Sequence, residues 1–242
     1  MASSSFGLAG VTVHRGGLWR GRRQAVLENL TWMVPDVRRT VLLGANGAGK
    51  TTLVETLAGL RRPSTGRVHR SGQAAFVAQY SGRFRGLRVA EQVAYSAWLA
   101  GRDRAALPRE VDRVLALTDL GGLRDRPVMQ LSGGEARRLA LAEGLAAPGE
   151  LVILDEPTAG LDPLQRALFH QAVDRVDRPV LVTTHLVEDL ADEADHVTLL
   201  DAGQVVFDGS PADFVRVDGQ TLSPQAAFSV RVQRAWGLEW VC

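Results

Sequence analysis

Gly44, Ala45, Asn46, Gly47, Ala48, Gly49, Lys50, Thr51 and Thr52 carry the spacing G-x-x-x-x-G-K-[ST], after an apolar run and before a helical pattern that stops near Gly59. The glycines let backbone N–H groups turn inward around a phosphate. A helix N-terminus behind them adds positive partial charge, and Lys50 brings a compact point charge to the β and γ oxygens. The Thr51 hydroxyl suits Mg²⁺. Lys50 is the only lysine among 28 basic residues, so this is the place where arginine did not serve. Further on, Leu151 to Leu154 form an apolar run ending in Asp155 and Glu156. Asp155 can hold Mg²⁺ through water and Glu156 can orient an attacking water, which together imply hydrolysis of a nucleoside triphosphate rather than binding alone.

A third constellation, Ser132, Gly133, Gly134 and Glu135, precedes a helical stretch running to about Ala147. Ser132 and Glu135 alone read as a capping box. Two adjacent glycines favour a second use, in which backbone N–H groups at a helix start approach a γ-phosphate closely.

These residues need a scaffold, and the chain supplies its parts in order. Val11 to Val13, Leu27 to Val34, Thr40 to Leu43, Gly66 to Arg70 and Ala74 to Ala78 read as strands of a β-rich N-terminal lobe. Helical spacing takes over from Val89 to Leu120, with Pro108 near a helix start, marking a helical subdomain inserted at about 85–148. Leu151 to Leu154 and Val180 to Val182 are uninterrupted apolar runs of the kind buried on both faces of a parallel sheet, with Leu164 to Val176 as the crossover helix. Leu186 to Ala194 reads as a helix, and His196 to Asp208 as two strands joined at Asp201, Ala202 and Gly203. Residues 212–242 form a C-terminal extension with weak signal. The fold class expected is α/β: a P-loop NTPase core with a mostly parallel sheet, an N-terminal antiparallel β lobe and the inserted helical subdomain, all one domain over 1–242.

Composition narrows the partners. The 242 residues carry a net charge of +1, with 45% apolar and 23% charged, so no strong field argues for nucleic acid and a folded core is expected. Cys242 is the sole cysteine, which leaves no disulfide framework within the chain and makes a reducing, cytoplasmic setting the default. No segment approaches the ~18 apolar residues of a membrane span.

From Gly10 to Pro211 the chain resembles the ATP-binding cassette family, specifically the nucleotide-binding subunit of a membrane transporter. The resemblance implies ATP and Mg²⁺ as ligands, and a homodimer in which Ser132, Gly133, Gly134 and Glu135 meet the ATP of the partner cassette. It further implies a separate transmembrane permease that keeps the subunit on the inner face of the cell membrane. By the same resemblance Gln79 matches the glutamine that senses Mg²⁺ and the permease, Asp162 the D-loop, His185 the switch histidine at the γ-phosphate, and Trp19 the aromatic stacked on adenine. Tyr80, Phe84 and Leu87 fall where the permease's cytoplasmic helix docks. Val93 to Gly101 looks like exporter-type cassettes of antibiotic and multidrug systems, so export is expected; an importer ATPase, or a soluble cassette ATPase acting on nucleic acid or the ribosome, are the alternatives. Glu135, where glutamine is usual, and Glu143 and Gly144 depart from the family pattern.

Overall fold

Every residue of Arg39–Leu43 and of Leu151–Asp155 is buried, as strands covered on both faces must be. The computed structural model describes residues 5–15, 24–78, 82–190 and 194–237. In chain order the elements are β1 (Phe6–Arg15), β2 (Gln24–Met33), β3 (Arg39–Leu43), α1 (Lys50–Ala58), β4 (Thr65–Arg70), β5 (Ala74–Val77), α2 (Val89–Leu99), α3 (Leu107–Leu117) and α4 (Gly133–Ala146). They continue with β6 (Leu151–Asp155), α5 (Pro163–Asp174), β7 (Val180–Thr184), β8 (His196–Asp201), β9 (Gln204–Gly209), α6 (Pro211–Val215), β10 (Arg216–Val217), β11 (Gln220–Thr221) and α7 (Pro224–Ala235). The result is an α/β fold with a mostly parallel sheet and an antiparallel β lobe.

The chain divides into two compact units, Met1–Ser71 with Leu181–Cys242, and Gly72–Val180. In the first, β2, β1 and β4 make an antiparallel three-stranded sheet with β1 in the centre. Beside that lobe β7, β3, β8 and β9 lie in this order, β3 with β8 parallel and β8 with β9 antiparallel. The β8–β9 turn places Ala202 and Gly203 at φ 43° and 79°, the left-handed pair that a two-residue hairpin with right-handed twist requires.

The C-terminal segment, weak in sequence signal, completes the core of this unit. Phe214 of α6 and Ala227 and Val230 of α7 pack with Val41, Leu43, Val197 and Leu199. Phe214 is fully buried, which stabilises by on the order of 2 to 3 kcal/mol. The Arg231 guanidinium lies 4.0 Å from the centre of the Phe207 ring and donates to the Phe214 carbonyl at 2.9 Å, pinning α7 down. The helix expected over Leu186 to Ala194 is instead a 3₁₀ turn at Val187–Leu190, with 191–193 outside the described residues. The Leu186 N–H is bound by the Thr184 hydroxyl at 3.0 Å, a local bond that competes with helix initiation.

In the second unit β5 and β6 pair in parallel, and α2, α3 and α5 pack around α4. Val111, Val114 and Leu115 give α3 its buried stripe at i, i+3, i+4 spacing. The last carbonyls of α4 are met by three arginines. Arg102 donates to Ala146, Arg113 to Leu145, and Arg178 to Leu145, Ala147 and Gly149. Positive charge at a helix C-terminus satisfies orphan acceptors and opposes the macrodipole. No helix among the described residues is long and apolar enough to cross a membrane.

Candidate functional site

The glycine loop between β3 and α1 is anchored within the first unit. The Gly44 N–H donates to the Thr184 carbonyl at 3.2 Å, and the Ala48 carbonyl accepts from the Gly203 N–H at 2.8 Å. A Cβ on Gly44 would overlap the Leu200 carbonyl oxygen, so β8 holds the start of the loop by direct backbone contact. Gly49 caps α1 at φ 106°, a conformation L side chains rarely adopt, and lies against Val26 and Leu27 of β2. Ala45, Asn46 and Gly47 are left exposed between these anchors. The loop is therefore fixed at both ends and open at its crest, the geometry of an anion cradle.

Lys50 is 5% exposed, and its ammonium donates to the Gly44 carbonyl at 2.7 Å and the Ala45 carbonyl at 3.2 Å. A cation this buried needs polar partners, and the carbonyl dipoles of its own loop are among them. Thr51 is exposed and Thr52 buried in the first turn of α1. His185 follows β7 directly after Thr184, whose carbonyl receives the Gly44 N–H, so the first unit brings His185 and the start of the glycine loop together.

The second unit carries the carboxylates. Asp155 ends β6 at 3% exposure. Glu156 follows with φ 45°, in the left-handed region, which costs a non-glycine residue about 1 to 2 kcal/mol. The turn is closed by Ala159 N–H to the Glu156 carbonyl at 3.3 Å and Leu161 N–H to the Thr158 carbonyl at 3.1 Å. Asp162 caps α5, its carboxylate accepting the Gln165 N–H at 2.8 Å.

Ser132 and Glu135 form the capping box at the start of α4. The Ser132 hydroxyl accepts the Glu135 N–H at 3.3 Å, and the Glu135 carboxylate accepts the Ser132 N–H at 2.7 Å. That backbone bond is the largest influence holding the Glu135 carboxyl below its usual range. The two glycines differ. A Cβ on Gly133 would meet nothing within 4 Å, so its face is open, whereas one on Gly134 would overlap the Gln165 side chain. Gly134 thus answers to packing inside the unit. Arg137 donates to the Ala159 carbonyl at 3.3 Å and Arg138 to the Gln165 amide oxygen at 3.1 Å, bracing α4 against the segment that follows Glu156.

Trp19, Gln79 and Tyr80 lie outside the described residues. Phe84, 47% exposed, stands edge-on to Tyr95 at 5.5 Å between ring centres, and Tyr95 is tilted on Trp98 at 6.1 Å. Sequence reasoning missed Gly203, whose only signal was the hairpin turn, and Gln92, whose polarity inside the apolar stripe of α2 was a readable clue. Among the described residues no group of three or more His, Cys, Asp or Glu could hold a metal ion. Mg²⁺ does not need one, because it binds through one or two protein oxygens plus phosphates; Thr51 in the first unit and Asp155 in the second are each a hard oxygen donor of that kind.

Comparison with known proteins matches residues 27–159 to the family model described as ABC transporter. The sulfate/thiosulfate import ATP-binding protein CysA of Mycobacterium bovis is 35% identical over 202 residues, covering 77% of this chain and 58% of its own length. The Fe(3+) ions import ATP-binding protein FbpC of Escherichia coli is 33% identical over 206 residues, covering 79% and 59% respectively. The chain thus spans less than two thirds of the length of these curated relatives. Among solved structures, a bacterial Atm1-family ABC exporter with ATP bound aligns with TM-score 0.74 and 25% identity over 94% of this chain and 42% of that one. A chain described as a metal-chelate type ABC transporter aligns with TM-score 0.75 at 20% identity, over 90% and 87%, a likeness of fold. These curated relatives are import proteins, so the exporter reading of Val93 to Gly101 has no support from them.

Proposed function

The chain belongs to the ABC transporter family, and on that premise we propose that it is the Mg²⁺-dependent ATPase of a membrane transporter, working in import. The glycine loop carries this reading: a cradle anchored to β2, β7 and β8, open at its crest, with the chain's only lysine buried beneath it. Import is favoured over the exporter reading by the printed functions of the relatives CysA and FbpC.

In this proposal the backbone N–H groups of residues 44–52 take the phosphates, and Lys50 exchanges its loop carbonyls for β and γ oxygens. Glu156 orients the attacking water and His185 contacts the γ-phosphate, while Gln79 senses Mg²⁺ and the permease and Trp19 stacks on adenine. Thr51 and Asp155, with Gln79, would hold Mg²⁺, which when bound neutralises charge on the phosphates. Ser132, Gly133, Gly134 and Glu135 face the ATP of a second copy, with Asp162 at the same junction; the open face of Gly133 and the cap at Ser132 support that role. The exposed ladder Phe84, Tyr95 and Trp98 receives a cytoplasmic segment of the permease, which holds the subunit at the inner face of the membrane.

The test is phosphate release by the full chain with ATP and Mg²⁺. Glu156→Gln is expected to bind ATP and lose turnover at least a hundredfold; a parent with no activity, or a variant with the parent's rate, would sink the assignment. Trp19→Ala is expected to raise KM for ATP about tenfold with kcat unchanged, since stacking is the same in ground and transition states.

A further inference from the structure

Helices α2 and α4 share a polar cluster that the phosphate-handling residues do not use. Glu143, eleven residues along α4 from Ser132 and so about 16 Å away on one rigid axis, accepts from the Gln92 amide at 2.6 Å and from the Ser96 hydroxyl at 3.1 Å. Gln92 is 1% exposed. Its amide nitrogen also donates to the Gly82 carbonyl at 3.0 Å, and its amide oxygen accepts the Phe84 N–H at 3.0 Å. One planar amide therefore grips the Gly82–Phe84 loop from two sides while standing on α2 and holding α4. An amide presents its donors and acceptor at fixed angles, so the loop cannot shift without turning Gln92 and loosening its bond to Glu143.

We propose that Gln92 and Glu143 are a positioning pair that passes displacement of the Gly82–Phe84 loop to the turn Ser132–Glu135. The loop bears Phe84, the first ring of the exposed ladder, so a segment seated there sets the pose of Ser132 through the amide, the carboxyl and the rigid body of α4. Only the identity of what moves the loop rests on the transporter reading; the pair is a feature of this chain's own residues.

The electrostatics give the pair a second property. Burial pushes the Glu143 carboxyl up to about 7, against the hydrogen bonds from Gln92 and Ser96. Several charged groups on the surrounding elements are engaged elsewhere. On α3 Glu110 pairs with Arg113 and Arg102, and Arg102, Arg113 and Arg178 bond carbonyls at the end of α4. Arg138 of α4 bonds Gln165, Glu91 of α2 accepts the Arg88 N–H, and β5 carries no ionisable side chain. Burial therefore favours the neutral carboxyl below pH 7, and as pH rises through that value ionisation places a charge in the buried α2–α4 contact, met there by the Gln92 and Ser96 donors.

Amide hydrogen exchange on the full chain tests the pair directly, corrected for the intrinsic pH dependence of exchange. Gln92→Leu, similar in volume and without hydrogen bonds, is expected to speed exchange about tenfold or more in both 82–88 and 132–136. If that variant does not fold, Gln92→Asn, one methylene too short to span the contact, makes the same comparison. The second readout is the pH profile of kcat: the parent is expected to show an inflection near pH 7, and Glu143→Gln, permanently neutral, to lack it. A helix that merely packed on α2 would give neither result. Faster exchange confined to 82–88, or a Glu143→Gln profile with the parent's inflection, overturns the proposal. In a parent that hydrolyses no ATP the transporter reading fails, and the exchange comparison still decides the pair.

Discussion

Lys50 and Glu156 show how a single residue carries a cost that only its role explains. The Lys50 ammonium is buried against two carbonyls of its own loop, an arrangement sized for a compact point charge with free rotation. Arginine retains the charge but is planar and longer, so Lys50→Arg is expected to weaken nucleotide binding at least tenfold in a fluorescence titration. Binding at the parent's affinity would refute that. Glu156 holds a left-handed backbone at φ 45° with no glycine to relieve it. Compared with each other, Glu156→Gly is expected to be more stable than Glu156→Ala by about 1 kcal/mol, a difference of roughly 2 to 4 °C in Tm, although both remove the carboxylate. Equal melting temperatures would show that the turn relaxes and that no strain resides there.

At the scale of the element, α4 sets local preference against packing. Ser132→Ala removes one arm of the capping box and is expected to lower stability by about 1 kcal/mol in urea unfolding. Gly144 presents the sharper conflict. By helix propensity Gly144→Ala gains about 1 kcal/mol. Yet a Cβ there would overlap Val77 Cγ2 of β5, and a β-branched side chain on a strand has little freedom to yield. The expected outcome is a loss of about 1 to 3 kcal/mol, with partial recovery when Val77→Ala is added. A stabilised single variant would mean that the α4–β5 contact is looser than described.

At the scale of the whole molecule, the buried Glu143 makes stability depend on pH. Its carboxyl is raised from an ordinary value of 4.5 to about 7. Between those values the folded chain holds a proton that the unfolded chain has released, so stability falls as pH rises through this window and levels off above 7. The full effect is at most about 3 kcal/mol. Glu143→Gln is therefore expected to melt at the parent's temperature near pH 4.5 and above it at pH 8; equal shifts at both pH values would rule out titration as the cause. Assembly belongs to this scale as well. Glu156→Gln with ATP and Mg²⁺ should sediment as a dimer, and a monomer at all ATP concentrations would count against the two-copy site.

The glycine loop, the Asp155–Glu156 pair and the start of α4 were legible from the chain because each is local: the spacing of a few residues fixes the turn, the cap or the strand end that presents them. So was the alternation of strands and helices, since apolar period follows burial. What needed the tertiary structure was contact between residues far apart in sequence. Gly203 bonds Ala48 across 155 positions, α6 and α7 close the core over β3 and β8, and Gln92 meets Glu143 across 51. Gly144 reads in sequence as a weak point of its helix and becomes, beside Val77, the residue that lets α4 approach β5. Local preferences can be read from neighbours in the chain, but burial of a charge or the space for a methyl group is set by whichever distant segment packs against it.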